Sequence, residues 1–160
     1  MTVFRYKPEI HGIKNEIIWR PVADIYLLGP KRSWFEFHPY IDSGADVTMI
    51  PLSFGKLLGL STNKSEIKQI GGIRGRVPVI YQKLPMKIGG YQMNVSVAWA
   101  LIEEVPPLLG RTDIFDKFDI VFKQTKRIIE FQLNSAKQAG KISVKIDVPV
   151  SELITFGRKI

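Results

Sequence analysis

Hydrophobic and polar residues alternate most clearly over residues 91–102, in the segment YQMNVSVAWALI. The apolar side chains recur at every second position: Met93, Val95, Val97, Trp99 and Leu101. A period of two residues is that of a β-strand, whose successive side chains point to opposite faces of a sheet. The segment therefore predicts a strand with one face in the core and the other face polar or small.

Shorter segments of the same kind recur along the chain, separated by turn signals such as Gly29-Pro30, Gly71-Gly72 and Gly89-Gly90. Turn signals at intervals of roughly 8 to 12 residues are typical of an all-β sandwich or barrel. Strands are predicted at residues 15–20, 22–28, 33–41, 66–70, 76–81, 84–88, 119–122, 127–133 and 141–149. Because proline lacks a backbone N–H, Pro39 predicts that its strand lies at an edge or bulges.

Two short helices interrupt this β pattern. One is predicted at residues 51–59, where Pro51 suits a first helical turn, and one at 112–118, with Thr112 or Asp113 as its cap. No repeat or low-complexity tract divides the chain, so a single domain over 1–160 is expected. The segment NSAKQAG at 134–140 begins a C-terminal extension, 134–160, which either adds a strand at a subunit interface or covers the barrel.

Composition narrows the possible chemistry. The 160 residues are 45% hydrophobic, enough for one core, and they include no cysteine, which excludes disulfides, thiolate metal sites and a cysteine nucleophile. His11 and His38 are the two histidines, so neither a structural zinc site nor a cofactor is expected. The N-terminus lacks the apolar run of a signal peptide and no stretch could span a bilayer, so a soluble, cytoplasmic protein is expected.

The net charge of +8 raises nucleic acid as a possible partner. The basic residues, however, are scattered in ones and twos rather than gathered in a stripe, which favours an ordinary solvated surface. The hypothesis of a basic β-barrel that stacks nucleic-acid bases on Trp19, Trp34 and Phe37 stays open.

One carboxylate stands out, because Asp42 in YIDSGADVTMIP (40–51) lies between apolar residues and a glycine. Asp-Ser-Gly alone is common turn chemistry. Two further segments follow it in order, IGGIRG at 70–75 and LLGR at 108–111, and this combination is much rarer than any one of the three.

Over residues 17–131 the sequence resembles the retropepsin-like aspartic proteases. The resemblance rests on RPVADIYL, FHPYIDSGADVTMIP, the glycine-rich IGGIRG and PPLLGRTDIFDKFDIVF. It implies an all-β fold, a small closed β-barrel with one or two short helices, assembled as a homodimer. It also implies an aspartic endopeptidase that binds a polypeptide in extended form.

The resemblance assigns a role to each residue of the first motif. Asp42 is the catalytic carboxylate, Ser43 hydrogen-bonds to the opposite loop, and Gly44 allows close backbone approach and offers its N–H to a carboxylate. Ala45 and Asp46 meet the substrate backbone.

Chemistry supports the implied dimer. Two carboxylates about 3 Å apart cannot both ionise, so one serves as base and the other as acid. The chain has one such loop, since Asp113, Asp116 and Asp119 are not followed by Ser/Thr-Gly and are interpreted as a cap and solvated charges. The second carboxylate must then come from another copy of Asp42 across a twofold axis.

The two later motifs complete the implied site. Leu109, Gly110 and Arg111 support the catalytic loop from beneath, with Arg111 in an internal ion pair with Asp46. Glycines at 71, 72 and 75 suit the tip of a mobile flap. The flap residues expected to contact substrate are Ile70, Gly71, Gly72 and Ile73, with Val77, Val79 and Leu108 lining its apolar pockets. Those apolar side chains suit an ordinary core equally well.

A hypothesis from another functional class stays open beside that of a protease. The same fold and dimer could serve as a catalytically weak or inactive module for peptide binding or dimerisation. The intact Asp-Ser-Gly-Ala sequence favours the enzyme, because facing carboxylates are costly to keep without a use.

Overall fold

The computed structural model describes residues 1–12, 15–62, 66–72, 75–134 and 153–155. The described strands, in chain order, are β1 (Thr2–Arg5), β2 (Lys7–His11), β3 (Glu16–Arg20), β4 (Ile25–Leu28), β5 (Trp34–Phe37), β6 (Tyr40–Ile41), β7 (Thr48–Ile50), β8 (Lys68–Gly72), β9 (Gly75–Ile88), β10 (Tyr91–Ala100), β11 (Leu108–Leu109), β12 (Phe118–Lys123), β13 (Ile128–Leu133) and β14 (Leu153–Thr155). The helix α1 spans Leu52–Leu57, and single 3-10 turns span Pro30–Arg32 and Gln124–Lys126.

The main sheet is organised around the long antiparallel pair β9 and β10, which run in register from Tyr91 opposite Ile88 to Ala100 opposite Val79. The predicted alternation in β10 is confirmed, because Met93, Val95, Val97 and Trp99 are buried in the core. The opposite face is also buried at its far end, at Ala98 and Ala100. One end of β10 is therefore covered on both faces.

The main sheet curls back on itself. Its strand order is β14, β5, β4, β9, β10, β7, β11 and β6, and β8 pairs with β9. At the far end, Tyr40 of β6 forms an isolated antiparallel bridge with Val22, and the N–H of Ile41 donates to the carbonyl of Pro21 at 2.9 Å. The last strand thus returns to the segment that leads into β4. The all-β fold is confirmed, whereas full closure of the barrel stays a prediction.

Two smaller sheets flank the curled one. In the first, β13 lies between β1 and β12, and the rings of Phe4, Phe118 and Phe131 meet edge to face beneath it. In the second, β2 and β3 form a hairpin. Arg20 donates to Glu9 within that hairpin, and the hydroxyl of Tyr40 also donates to Glu9, which ties the hairpin to β6.

Most predicted strands are present, with shifted ends. Residues 76–81 and 84–88, predicted as two strands, belong to the single strand β9, because β10 pairs with it continuously past the polar residues between them. The predicted strand 33–41 is divided into β5 and β6 at His38 and Pro39, as Pro39 led us to expect. The strands predicted from the hydrophobic pattern did not include β1, β2, β7, β11 or β14.

The helix predicted at 51–59 is present as α1, but the helix predicted at 112–118 is wrong. Residues 112–117 form successive turns, which end where β12 begins. Asp113 adopts a left-handed φ of 68° that a helix cannot contain. Its carboxylate accepts a hydrogen bond from the N–H of Ser96 at 2.7 Å, so it ties the turns to β10 instead of capping a helix.

The C-terminal extension contributes a strand at the edge of the main sheet. Leu153–Thr155 pairs in parallel with β5, with Leu153 opposite Trp34 and Thr155 opposite Glu36. The strand predicted at 141–149 lies outside the described residues. In the described part of the chain, no helix is both long and apolar enough to cross a membrane.

Candidate active site

The loop that carries Asp42 starts where β6 ends. Asp42 is half-buried, while Ser43 and Gly44 are exposed. The N–H of Gly44 donates to Asp42 Oδ1 at 2.8 Å, and the N–H of Ala45 donates to the Asp42 carbonyl at 3.3 Å. A Cβ at position 44 would lie 3.2 Å from that carboxylate oxygen, so glycine leaves room for this tight turn. The turn fixes the carboxylate at the protein surface.

A second segment crosses beneath the loop and holds it. The N–H of Asp42 donates to the carbonyl of Leu109 at 3.1 Å, and the N–H of Arg111 donates to the carbonyl of Ala45 at 2.9 Å. The N–H of Gly110 donates to Thr48 Oγ1 at 3.3 Å. Both flanks of the Asp42 loop are therefore bonded to the same segment, residues 109–111, called here the crossing segment.

Gly110 lies at the closest point of that crossing. A Cβ at this position would lie 2.3 Å from the carbonyl carbon of Val47 and 2.8 Å from the backbone nitrogen of Thr48. Backbone atoms cannot move aside as a flexible side chain can. The crossing therefore requires glycine at position 110.

Arg111 and Asp46 form the predicted ion pair, from guanidinium Nη2 to carboxylate Oδ1. The prediction that it is internal is wrong for the single chain, since the side chains are 56% and 83% exposed. The pair lies beside the Asp42 loop at the surface rather than beneath it. An exposed pair of this kind adds about 1 kcal/mol or less to stability.

The glycine-rich segment forms a hairpin. β8 and β9 pair from Lys68 opposite Val79 up to Gly72 opposite Gly75. Gly71 is exposed, and nothing lies within 4 Å of where its Cβ would be. Ile73, predicted to contact substrate at the tip, lies outside the described residues. The hairpin is as expected, and its role as a flap stays a prediction.

A small apolar cluster, separate from the main core, joins this hairpin to the strand after the loop. Its buried members are Val79, Ala98 and Ala100, and Val47, Met49, Ile70, Val77 and Val105 pack against them. Three of the residues predicted to line substrate pockets, Ile70, Val77 and Val79, are members of this cluster. Leu108 is half-buried and pairs with Met49 in the sheet. The apolar side chains of this cluster therefore connect the hairpin to the residues that follow the Asp42 loop.

The structure also brings together a group of residues that sequence reasoning missed. Asp24, Glu36 and His38 each offer a ligand atom within 4.8 Å of the others. Lys7 contributes its ammonium group to the same cluster. One sequence signal was present: Glu36 and His38 stand two residues apart, and a strand places such residues on one face.

The aromatic residues proposed for base stacking are placed unfavourably for that role. Trp34 and Phe37 are buried, and Phe37 stacks on Phe54 inside the core at 4.4 Å between ring centroids. Trp19 is half-buried, with the guanidinium of Arg127 4.0 Å from its ring centroid. A surface that stacks bases needs exposed ring faces, so this arrangement argues against the hypothesis of nucleic-acid binding.

Comparison with known proteins adds little to the assignment of a family or a function. No protein-family model matches the chain. No curated protein matches it either. Among solved structures, it is similar to the EIAV protease complexed with the inhibitor HBY-793, at 22% sequence identity and a TM-score of 0.49, over 61% of this chain and 86% of that one.

Proposed function

We propose that this chain is an aspartic endopeptidase of the retropepsin type that works as a homodimer. The observation that carries the proposal is the way the Asp42 loop is held. The Gly44 N–H bonds to the Asp42 carboxylate, and the flanks of the loop are bonded to the crossing segment at Leu109 and Arg111. Such a mounting keeps a carboxylate in one orientation at the surface. Fixed orientation is what proton transfer in a shared dyad requires.

One chain supplies one such loop, so the site is complete only when two copies meet. Ser43 and Gly44 are exposed in the single chain and are open to a second copy. With the two Asp42 carboxylates about 3 Å apart, one proton is shared between them. The Ser43 hydroxyl of each copy would bond to the backbone of the opposite loop and keep the carboxylates coplanar.

Peptide hydrolysis then proceeds without a covalent intermediate. The ionised Asp42 accepts a proton from a water molecule as that water attacks the scissile carbonyl carbon. The protonated Asp42 of the other copy passes its proton to the carbonyl oxygen, which gives a gem-diol. The first Asp42, now protonated, donates its proton to the leaving nitrogen while the other Asp42 accepts a proton from a hydroxyl of the gem-diol. The C–N bond then breaks and releases an amine and a carboxylic acid.

The substrate would lie extended between the loop and the β8–β9 hairpin. Backbone hydrogen bonds would give affinity, and alternate side chains would enter apolar pockets. Ile70 and Val77, which pack against Val79, Ala98 and Ala100, would line these pockets. We therefore expect cleavage between apolar residues.

A single substitution tests the chemistry. Asp42→Asn keeps the size of the side chain but removes the carboxylate, and we expect it to abolish cleavage of a diverse peptide mixture between about pH 4 and pH 7. Wild-type cleavage should be blocked by pepstatin-like inhibitors. Asp116→Asn is the matched control, because Asp116 is exposed outside the loop, and it should cleave as the wild type does.

Equal cleavage by wild type and Asp42→Asn would contradict the proposal. If neither protein cleaves and both bind the same peptides, the chain is instead the inactive binding module considered above.

A further inference from the structure

The group of Asp24, Glu36 and His38, called here the His38 cluster, is assembled by the pairing of β4 and β5. Ile25 stands opposite Phe37 in this antiparallel pair, and Tyr26 stands opposite Glu36. Asp24 immediately precedes β4 and His38 immediately follows β5, so the pairing brings these two residues opposite each other. Glu36 shares their face, because it lies two residues before His38.

The polar atoms of the cluster converge. His38 Nδ1 lies 2.6 Å from Asp24 Oδ1, and His38 Nε2 lies 3.8 Å from Glu36 Oε2. The side chains of His38 and Glu36 are only 16% and 20% exposed, and that of Asp24 is 40% exposed. The cluster is thus partly withdrawn from water and open on the Asp24 side.

A cation already stands in this cluster. Lys7, from the separate β2–β3 sheet, bonds through Nζ to Asp24 Oδ1 and lies 3.1 Å from His38 Nδ1. These contacts show that the cluster attracts positive charge.

We propose that the His38 cluster is a binding site for a divalent transition-metal ion of the zinc type, for which Lys7 acts as a competing cation. One imidazole nitrogen and two carboxylates are a donor set that zinc and its neighbours accept, whereas calcium and magnesium prefer oxygen donors in larger number. A divalent ion would also neutralise the two carboxylates.

One ligand atom from each of the three residues lies within 4.8 Å of the others. Donors about 2.1 Å from a tetrahedral ion stand roughly 3.4 Å apart, so the three side chains must close around the ion, with His38 offering one of its two ring nitrogens. Lys7 must withdraw from Asp24, and its long, flexible side chain is 40% exposed and can do so. Metal binding would therefore cross-link β4 and β5 and release the contact between Lys7 and the main sheet.

The test uses untagged, full-length protein and titration with Co²⁺, whose visible absorption reports coordination by nitrogen and oxygen donors. We expect one cobalt ion per chain, displaced by Zn²⁺, and a thermal midpoint that rises with Zn²⁺ concentration. His38→Gln should lose this binding. His11→Gln is the matched control, because His11 is the other histidine and is exposed, and it should bind as the wild type does.

Lys7→Met tests the competition. Removing the ammonium group should tighten cobalt binding at least about tenfold, since the carboxylate it occupied becomes available. Glu36→Gln provides a second ligand variant, should His38→Gln fail to give a native circular dichroism spectrum. Equal affinity of the ligand variants and the wild type, absence of binding below millimolar cobalt, or unchanged affinity in Lys7→Met would each overturn the proposal. Asp42→Asn should bind cobalt normally, which separates this site from the proposed protease chemistry.

Discussion

Gly110 shows how one residue determines what the candidate active site can tolerate. Its backbone passes so close to Val47 and Thr48 that a Cβ would overlap backbone atoms, at 2.3 Å in the nearest case. The same backbone segment supplies the carbonyl of Leu109 and the N–H of Arg111 that hold the Asp42 loop. The close crossing and the mounting of the carboxylate are therefore one structural feature.

We expect Gly110→Ala to lower the free energy of unfolding by about 2 to 3 kcal/mol, because relief of the overlap must displace the loop backbone. The midpoint of urea denaturation, compared at constant m-value, measures this. Gly71→Ala is the control, since nothing lies within 4 Å of its Cβ position, and its midpoint should remain close to that of the wild type. If the two variants have equal midpoints, the crossing is looser than described.

At the scale of single residues, the sequence predicted which residues bond to each other better than it predicted how exposed they are. The Asp42 loop, its Gly44 hydrogen bond and the pairing of Arg111 with Asp46 agree with what the resemblance implies. The exposure of that ion pair was not predictable, because it depends on how much of the chain packs over residues 46 and 111. The His38 cluster was missed because Asp24 precedes β4 and His38 follows β5, and only the pairing of these strands brings the two residues together.

Among the elements, the β12–β13 hairpin contains an ion pair whose effect depends on pH. Lys123 Nζ lies 2.6 Å from Glu130 Oε1, and this hydrogen bond lowers the pKa of Glu130 below its ordinary value of 4.5. A carboxyl group whose pKa is lower in the folded chain binds fewer protons there than in the unfolded chain. Its contribution to stability is complete above the ordinary pKa and is lost as the pH falls through the folded pKa.

Glu130→Gln should therefore be less stable than the wild type near about pH 6, and the difference should shrink toward about pH 3. Urea denaturation of both proteins across this range measures it, and comparison of the two cancels the titration of the other carboxyl groups. Glu104→Gln, at an exposed position, is the control for the substitution itself, and its stability near about pH 6 should be close to that of the wild type. A difference between wild type and Glu130→Gln that stays constant with pH would contradict the assignment.

Element prediction succeeded where one face of a strand is buried and failed where other forces dominate. β10 has a clear period of two because its core face alternates with a mostly polar one. β7 is short, spanning Thr48–Ile50, and gives no such period. The false helix at 112–118 had good capping residues, but the hydrogen bond from Ser96 to Asp113 favours a left-handed turn there.

For the whole molecule, the sequence indicated an all-β chain, but the path of the sheet depends on long-range pairing. The return of β6 to residues 21–23 rests on two backbone hydrogen bonds, which form the Val22–Tyr40 bridge and which no local pattern encodes. The C-terminal strand is similar, since both a subunit interface and a cover over the barrel were open. The structure places Leu153–Thr155 beside β5, within the same chain.

Whether two chains share one active site can be tested by mixing wild type with Asp42→Asn. If each site needs a carboxylate from both copies, a heterodimer has one carboxylate and is inactive. Random pairing of equal amounts leaves about one quarter of the dimers fully wild type, so activity per total chain should fall to about one quarter of the unmixed value. A chain that acts alone would retain about one half.

The experiment requires that subunits exchange, which can be ensured by unfolding the two proteins together in urea and refolding them. Asp116→Asn mixed with wild type in the same way should retain full activity, because both partners then keep Asp42. Activity near one half in the Asp42→Asn mixture, with exchange demonstrated by mass labelling, would mean that one carboxylate per chain suffices. The proton would then have to be held by a group other than a second Asp42, and the twofold site would be wrong even if peptide cleavage were real.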